Sequence, residues 1–216
     1  MNAEAQSPSV RRRASVRTKR GAAPKAVLGP GDWIDAALTV LATETIDAVR
    51  VDVLAKRMNV TRGSFYWHFE DRDDLLGRLL EHWRKTTTER VIERFTLGSN
   101  SPGEMLKGLL ALPYHGRTAA HASSVEMAIR EWARRHEAAR LVVAEVDNQR
   151  LGYIAQCFTA LGCSLSEARH RADIFYATLI GQSILGTQIL ESQIEERLRM
   201  LGQLFVDSAT GPKHPA

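Results

Sequence analysis

Residues Leu54–Arg72 read Leu-Ala-Lys-Arg-Met-Asn-Val-Thr-Arg-Gly-Ser-Phe-Tyr-Trp-His-Phe-Glu-Asp-Arg. Two short helices that cross closely need a small residue at the crossing, and Ala55 supplies one. Four residues later the chain must turn with a positive φ, which Gly tolerates best and Asn next; Asn59 stands there. Val60 and Phe65 plug the angle between the helices, and Phe69 falls on the face of Phe65. Thr61 offers an N-cap hydroxyl, so the second helix presents the positive end of its dipole. Its opposite face carries Gly63, Tyr66 and Trp67, with Ser64 and His68 on the flank. Aromatic rings on a non-core face suit sugar-phosphate and thymine methyl groups in a major groove better than bulk water. The spacing predicts a helix-turn-helix with helices over Val51–Met58 and Thr61–Phe69.

Working outward, Pro30-Gly31-Asp32 starts the ordered chain. Asp32 is placed to cap a helix carrying Ile34, Leu38 and Leu41 on one face, which breaks around Thr45–Asp47. On the other side, Asp71-x-x-Asp74 gives an acidic start to a long helix through Leu75, Leu76, Leu79, Leu80, Trp83, Val91, Ile92 and Phe95. After a loop at Gly98–Gly103, Ser101-Pro102-x-Glu104 forms a capping box with proline at the first helical position, and that helix stops before Pro113. Further helices are expected over Val125–Arg135, over Ala138–Leu161 with Gly162 as C-cap, from Ser164-x-x-Glu167 to about Leu190, and over Ile194–Val206. No stretch alternates as a strand does. The expected fold is all-α, about nine helices. It divides into a basic arm at 1–29, a helix-turn-helix domain at 30–76, a helical ligand-binding and dimerisation domain at 77–208, and a tail at 209–216.

Composition limits the function. The 216 residues are 44% hydrophobic and 25% charged, with a net charge of +4, as in ordinary globular proteins. Arg11, Arg12, Arg13, Arg17, Lys19, Arg20 and Lys25 face only Glu4 in the first 25 residues, leaving a slightly acidic body behind a basic tail. That asymmetry points to a polyanion at one end; the tail is either solvated or an arm for an adjacent minor groove. No apolar run is long enough to span a bilayer, and no apolar segment follows the basic residues as in a secretory signal. A cytoplasmic protein is expected. Cys157 and Cys163 fit neither a zinc knuckle nor a disulfide framework and suit small buried positions. His115, His121 and His136 lack the spacing of a helical metal site, so no metal and no cofactor is expected.

Ser-Phe-Tyr-Trp-His-Phe at 64–69, preceded by Val-Thr-Arg-Gly and followed by Glu-Asp-Arg-Asp-Asp-Leu-Leu, resembles the DNA-binding signature of the TetR family of transcriptional regulators, over about residues 31–80. The resemblance implies base reading by Arg62 and Trp67, and phosphate contacts from Thr61, Ser64, Tyr66, His68 and Arg72. Two departures stand out. The family usually has Lys at Arg72, and it favours Thr or Ser as the cap where this chain reads Val49-Arg50-Val51. Arg50 would then contact phosphate, while Asp52 occupies a position the family often gives to a basic residue. Ala128-Ile-Arg-Glu-Trp-Ala-Arg-Arg, with Asp147-x-x-Arg150, looks like one subtype of the family's effector domain.

What the resemblance implies for function is a homodimeric regulator. Its two recognition helices would dock about 34–36 Å apart on a palindromic operator, and a small-molecule effector would release it by shifting the helix that starts at Asp71. Trp83, Trp132, Tyr153, Phe158, Phe175 and Tyr176 are candidates for an effector pocket or simply for core. Arg130 and Arg150 are expected at the surface, or paired with an acidic effector group if they point inward. Leu179, Ile180, Ile184, Leu198, Leu201 and Phe205 are dimer-interface candidates, the alternative being intramolecular packing. Gly181, Ser183, Gly186 and Thr187 make close helix approach feasible there. The rival classes are a DNA-binding architectural or scaffolding protein without an effector, and an enzyme. No nucleophile elbow, phosphate loop or carboxylate-histidine metal set supports the latter.

Overall fold

The computed structural model describes residues 28–98, 101–114, 119–185 and 190–210. Among these every regular element is helical. The basic arm to residue 27 and the tail from residue 211, as well as Gly186 and Thr187, lie outside the described residues.

The head begins with α1 (Pro30–Thr43), followed by α2 (Val51–Arg57). α1 starts two residues before Asp32: Pro30 takes the first helical position, and the Asp32 carboxylate accepts from Gly29 N–H at 2.7 Å. Asp32 therefore caps by reaching back instead of standing at the cap itself. At the turn after α2, Asn59 has φ +54°, and Val60 N–H closes on Ala55 C=O at 3.0 Å. The second helix of the motif is a 3-10 segment, Arg62–Trp67, with Thr61 at the cap position but without a capping bond from its hydroxyl. Ser64 Oγ instead donates to Thr61 C=O at 2.8 Å. Trp33, Phe65 and Phe69 fill the middle of the head: Phe65 meets Trp33 edge-on at 5.3 Å and stacks on Phe69 at 5.1 Å.

α3 (Arg72–Arg84) opens with the Asp71 carboxylate accepting from Asp74 N–H at 2.9 Å. The long helix expected through Phe95 is continuous but not regular. A π-helical turn, Lys85–Glu89, joins α3 to α4 (Arg90–Leu97). The body adds α5 (Pro102–Ala111), α6 (Ala119–Ala133), α7 (Glu137–Ala160), α8 (Leu165–Leu185) and α9 (Glu191–Gly202), which runs on through a second π turn, Gln203–Asp207. α6 starts six residues before the expected Val125. α7 ends in Gly162 at φ +95°, with Gly162 N–H bonded to Thr159 C=O and Cys163 N–H to Phe158 C=O, a Schellman closure.

Two apolar cores result. The first binds α1, α2 and α3 to the C-terminal half of α6 and the start of α7 through Trp83, Ile129, Trp132 and Val146. The second holds α5, the end of α7, α8 and the end of α9 together around Leu106, Phe158, Phe175 and Phe205. The head thus rests directly on the body, α1 against α6.

Candidate nucleic-acid interface and effector cavity

Two rings point inward and two outward within five residues of the head. Phe65 and Phe69 are buried, whereas Tyr66 is 56% and Trp67 87% exposed. Burying such a ring is worth about 1.5–3 kcal/mol, so both outer rings forgo a large stabilisation in the isolated chain. Thr61, Arg62 and Gly63 are exposed beside them, and Ser64 is half-buried. Three predicted phosphate ligands also have partners within the chain. Arg72 is half-buried and spends its guanidinium on Val49 C=O and Ile46 C=O, at 2.6 Å each, bracing the loop before α2. His68 sits with Nε2 3.1 Å from Leu28 C=O. Arg50 is exposed but pairs with Asp52 at 3.2 Å, and that hydrogen bond holds the Asp52 carboxyl below its usual range. Asp52, out of place as a base reader, serves here as the partner of Arg50.

In the body a cavity of about 370 Å³ lies among the π turn, α4, α5, α6, α7 and α8. Val91, Ile92, Leu109, Ile154, Leu179 and Ile180 make its apolar wall. One end is ionic. Arg150 Nη1 reaches Glu126 Oε1 at 3.1 Å and the Tyr176 hydroxyl at 3.1 Å; its Nε donates to Thr88 Oγ1 at 3.0 Å. Arg130 reaches Glu126 at 2.8 Å and Asp147 at 2.6 Å, and Tyr176 donates to Asp147 at 2.7 Å. Both arginines are therefore interior, correcting the expectation of surface cations: each finds the carboxylates that make burial tolerable. Burial alone would lower the Arg150 and Arg130 pKa values, but the carboxylates outweigh it and raise both. Burial likewise pushes Asp147 up, yet its bonds from Arg130 and Tyr176 win and lower it. The Tyr176 phenol is pushed up to about 12, chiefly by burial.

Residues 34–79 match the model of the bacterial regulatory proteins of the tetR family. The match covers the helix-turn-helix head and none of the body. A segment of 77 residues is 29% identical to the HTH-type transcriptional regulator AcrR of Shigella flexneri, spanning 36% of this chain and 36% of that relative. Beyond the head the likeness is one of fold. A transcriptional regulator from Rhodococcus sp. Rha1 superposes with a TM-score of 0.69 at 17% identity, covering 86% of this chain and all of the other. A protein from Saccharomonospora viridis, solved in complex with choline, gives 0.67 at 17% identity, covering 82% of this chain and 95% of the other.

Within this TetR-type architecture the six candidate pocket aromatics separate. Tyr153 and Tyr176 line the cavity. Trp83 and Trp132 belong to the first core and Phe158 and Phe175 to the second, none of them lining the cavity, although the Trp83 ring backs the guanidinium of Arg150 at 5.7 Å. The interface candidates separate as well. Leu179 and Ile180 face the cavity, Phe205 is buried against Phe175 at 5.1 Å, and Leu198 and Leu201 pack on the second core. Of the six, Ile184 alone is exposed. Residues that the sequence reading passed over, Glu126, Thr87 and Thr88, complete the ionic end. The available signal was Glu126-x-x-x-Arg130 with Asp147-x-x-Arg150, opposite charges at helical spacing on two helices. Among the described residues no His, Cys, Asp and Glu side chains cluster as a metal site, and no helix is long and apolar enough to cross a membrane.

Proposed function

We propose that this chain is a sequence-specific DNA-binding transcriptional regulator of the TetR family, a dimeric repressor released from its operator by a small molecule held in the body cavity. The observation that carries the reading is Trp67, 87% exposed beside Tyr66 on a segment whose other two rings are buried. A major groove offers those rings thymine methyls and sugar edges. Arg62 and Trp67 read bases; Thr61, Gly63, Ser64 and Tyr66 contact the backbone. Residues 30–76 act as the reading head and 77–208 as the ligand-binding and dimerising body, working in the cytoplasm where the DNA is. The protein solved with choline supports a small molecule as the kind of occupant such a body holds, and 370 Å³ falls within the usual range of ligand cavities.

The test is selection of bound fragments from genomic DNA by the full chain, followed by affinity measurements with Trp67→Ala and Arg62→Ala. The reading expects a shared palindromic site. Arg62→Ala should lose about 1–3 kcal/mol at one base position per half-site, and Trp67→Ala should lose operator binding with an unchanged melting temperature. Recovery of fragments without a common site would favour an architectural DNA binder.

A further inference from the structure

Two arginines at the end of an apolar cavity suggest a receptor for an anion. The hydrogen-bond ledger contradicts that. A guanidinium has five N–H donors, and those of Arg150 go to Thr88, Glu126, Tyr176 and Thr87. Arg130 stands behind the lining residues and commits four donors, to Glu126, both oxygens of Asp147 and Tyr176. Tyr176 accepts from both arginines and donates to Asp147, so its hydroxyl is saturated too. Two cations and two carboxylates cancel. A carboxylate head would have to evict Glu126 or Asp147 into a buried site. A cationic head would meet two arginines whose carboxylates are already engaged. Either leaves an unpaired buried charge, which is far costlier than an unpaired neutral group.

The spare capacity at this end is neutral. The Thr88 hydroxyl accepts from Arg150 with its own proton uncommitted among the described residues, and Ser123 lines the same wall. Arg94 also borders the cavity, but it is exposed, with its guanidinium over the Phe95 ring at 5.1 Å. In solvent such a charge adds little. Resting on the reading of this cavity as the effector site, we infer that it takes an uncharged ligand: an apolar body with a hydroxyl or carbonyl head seated at Thr88 and Ser123. The arginine pair serves as a charge-neutral wall that rejects ionic heads.

The experiment compares 1-octanol, octanoate and octylammonium at pH 7.5 by calorimetry on the full chain. Apolar partitioning alone favours the alcohol, so the deciding comparison adds Glu126→Gln and Asp147→Asn, each of which leaves one net positive charge at the cavity end. Wild type should bind octanol, with both ions roughly tenfold weaker or worse. In either variant octanoate should gain about tenfold relative to octanol, the equivalent of 1.4 kcal/mol. Octanoate binding wild type as tightly as octanol overturns the inference, as does an unchanged octanoate-to-octanol ratio in a folded variant. Should neither variant fold, wild type still overturns the inference if it binds octanoate or octylammonium as tightly as octanol. The cavity-filling Ala122→Trp separates the two readings. If no probe binds wild type, or if this variant binds octanol unchanged, the effector cavity itself fails and this inference with it.

Discussion

Arg150 in the middle of α7 donates from Nε to the Thr88 hydroxyl at 3.0 Å, and Thr88 sits in the π turn of the helix that leaves the reading head. A π turn leaves carbonyls of the preceding turn without their regular partners. Here the Thr86 and Thr87 hydroxyls donate to His82 C=O and Trp83 C=O, at 2.7 and 2.8 Å. Three successive threonines and one arginine thus sustain an irregularity that also forms part of the cavity wall. Under the proposed function, a ligand seated there would touch the groups that set the course of the connecting helix, which gives occupancy a physical route to the head.

Thr88→Val keeps the shape and removes the hydroxyl, leaving Arg150 Nε without its partner in a buried site. The expected cost is about 1–3 kcal/mol of stability, while Thr88→Ser should cost less because it retains the acceptor. Urea unfolding of the three proteins checks the order. Equal midpoints for Thr88→Val and wild type would show that water or another group takes the bond without loss.

Asn59 provides a backbone test. Its φ of +54° places a side chain in a region that costs most L-residues roughly 1–2 kcal/mol. Asn59→Gly should therefore be neutral or slightly stabilising. Asn59→Val should lose at least that strain and lower the melting temperature, because a branched Cβ suffers most there. A Val variant as stable as wild type would mean the turn can relax to negative φ.

The features legible in the sequence are those decided within four residues. Asn59, the Asp71–Asp74 start, the Ser101 and Ser164 caps and the Gly162 stop all depend on neighbours close along the chain, and the structure forms each one. The illegible features depend on what lies across the fold. α8 is apolar around much of its girth, so periodicity does not say whether Leu179 or Ile184 faces inward. Arg72 shows no bracing role in the sequence until the loop carbonyls of Ile46 and Val49 are brought beside it. Arg130 and Arg150 look like surface cations until Glu126 and Asp147, one from α6 and one from α7, neutralise them. The run Thr86-Thr87-Thr88 was the available hint of the π turn, since threonines bond back to carbonyls and bend helices.

Alkaline pH probes the ionic end. The Tyr176 pKa is raised, by burial first, from 10.0 to about 12 in the folded chain. Folding therefore favours the protonated phenol. That contribution is fully present below pH 10 and is lost as pH rises through about 12. Two pH units correspond to about 2–3 kcal/mol. Between pH 10 and 12, wild type should lose stability more steeply than Tyr176→Phe, followed by urea midpoints, and the substitution should remove part of the late phase of phenolate absorbance. Parallel curves for the two proteins would place the alkaline loss elsewhere, Tyr153 being the next candidate because burial raises its pKa too.

The dimer prediction follows from what α8 leaves uncovered. Ile174, Ala177, Ile184 and Leu185 are exposed and, with half-buried Gly181, lie at i, i+3, i+7, i+10 and i+11, one stripe of a helix. A Cβ built on Gly181 meets nothing within 4 Å, so among the described residues this glycine has no packing reason. On the last helical stretch, Met200 and Leu204 are 59% and 62% exposed. Large apolar side chains left exposed on two helices mark a candidate association surface, and the small residues on α8 would let a second copy approach closely. Ile174→Glu with Ile184→Glu puts two charges into that surface without touching either core. The double variant should run as a monomer in light scattering at micromolar concentration, keep its helical content, and bind operator weakly through single half-sites. Leu179→Ala, which enlarges the cavity wall instead, should remain dimeric. A dimeric double-Glu variant, or a monomeric Leu179→Ala that is still folded, would return the interface to the inward face of α8.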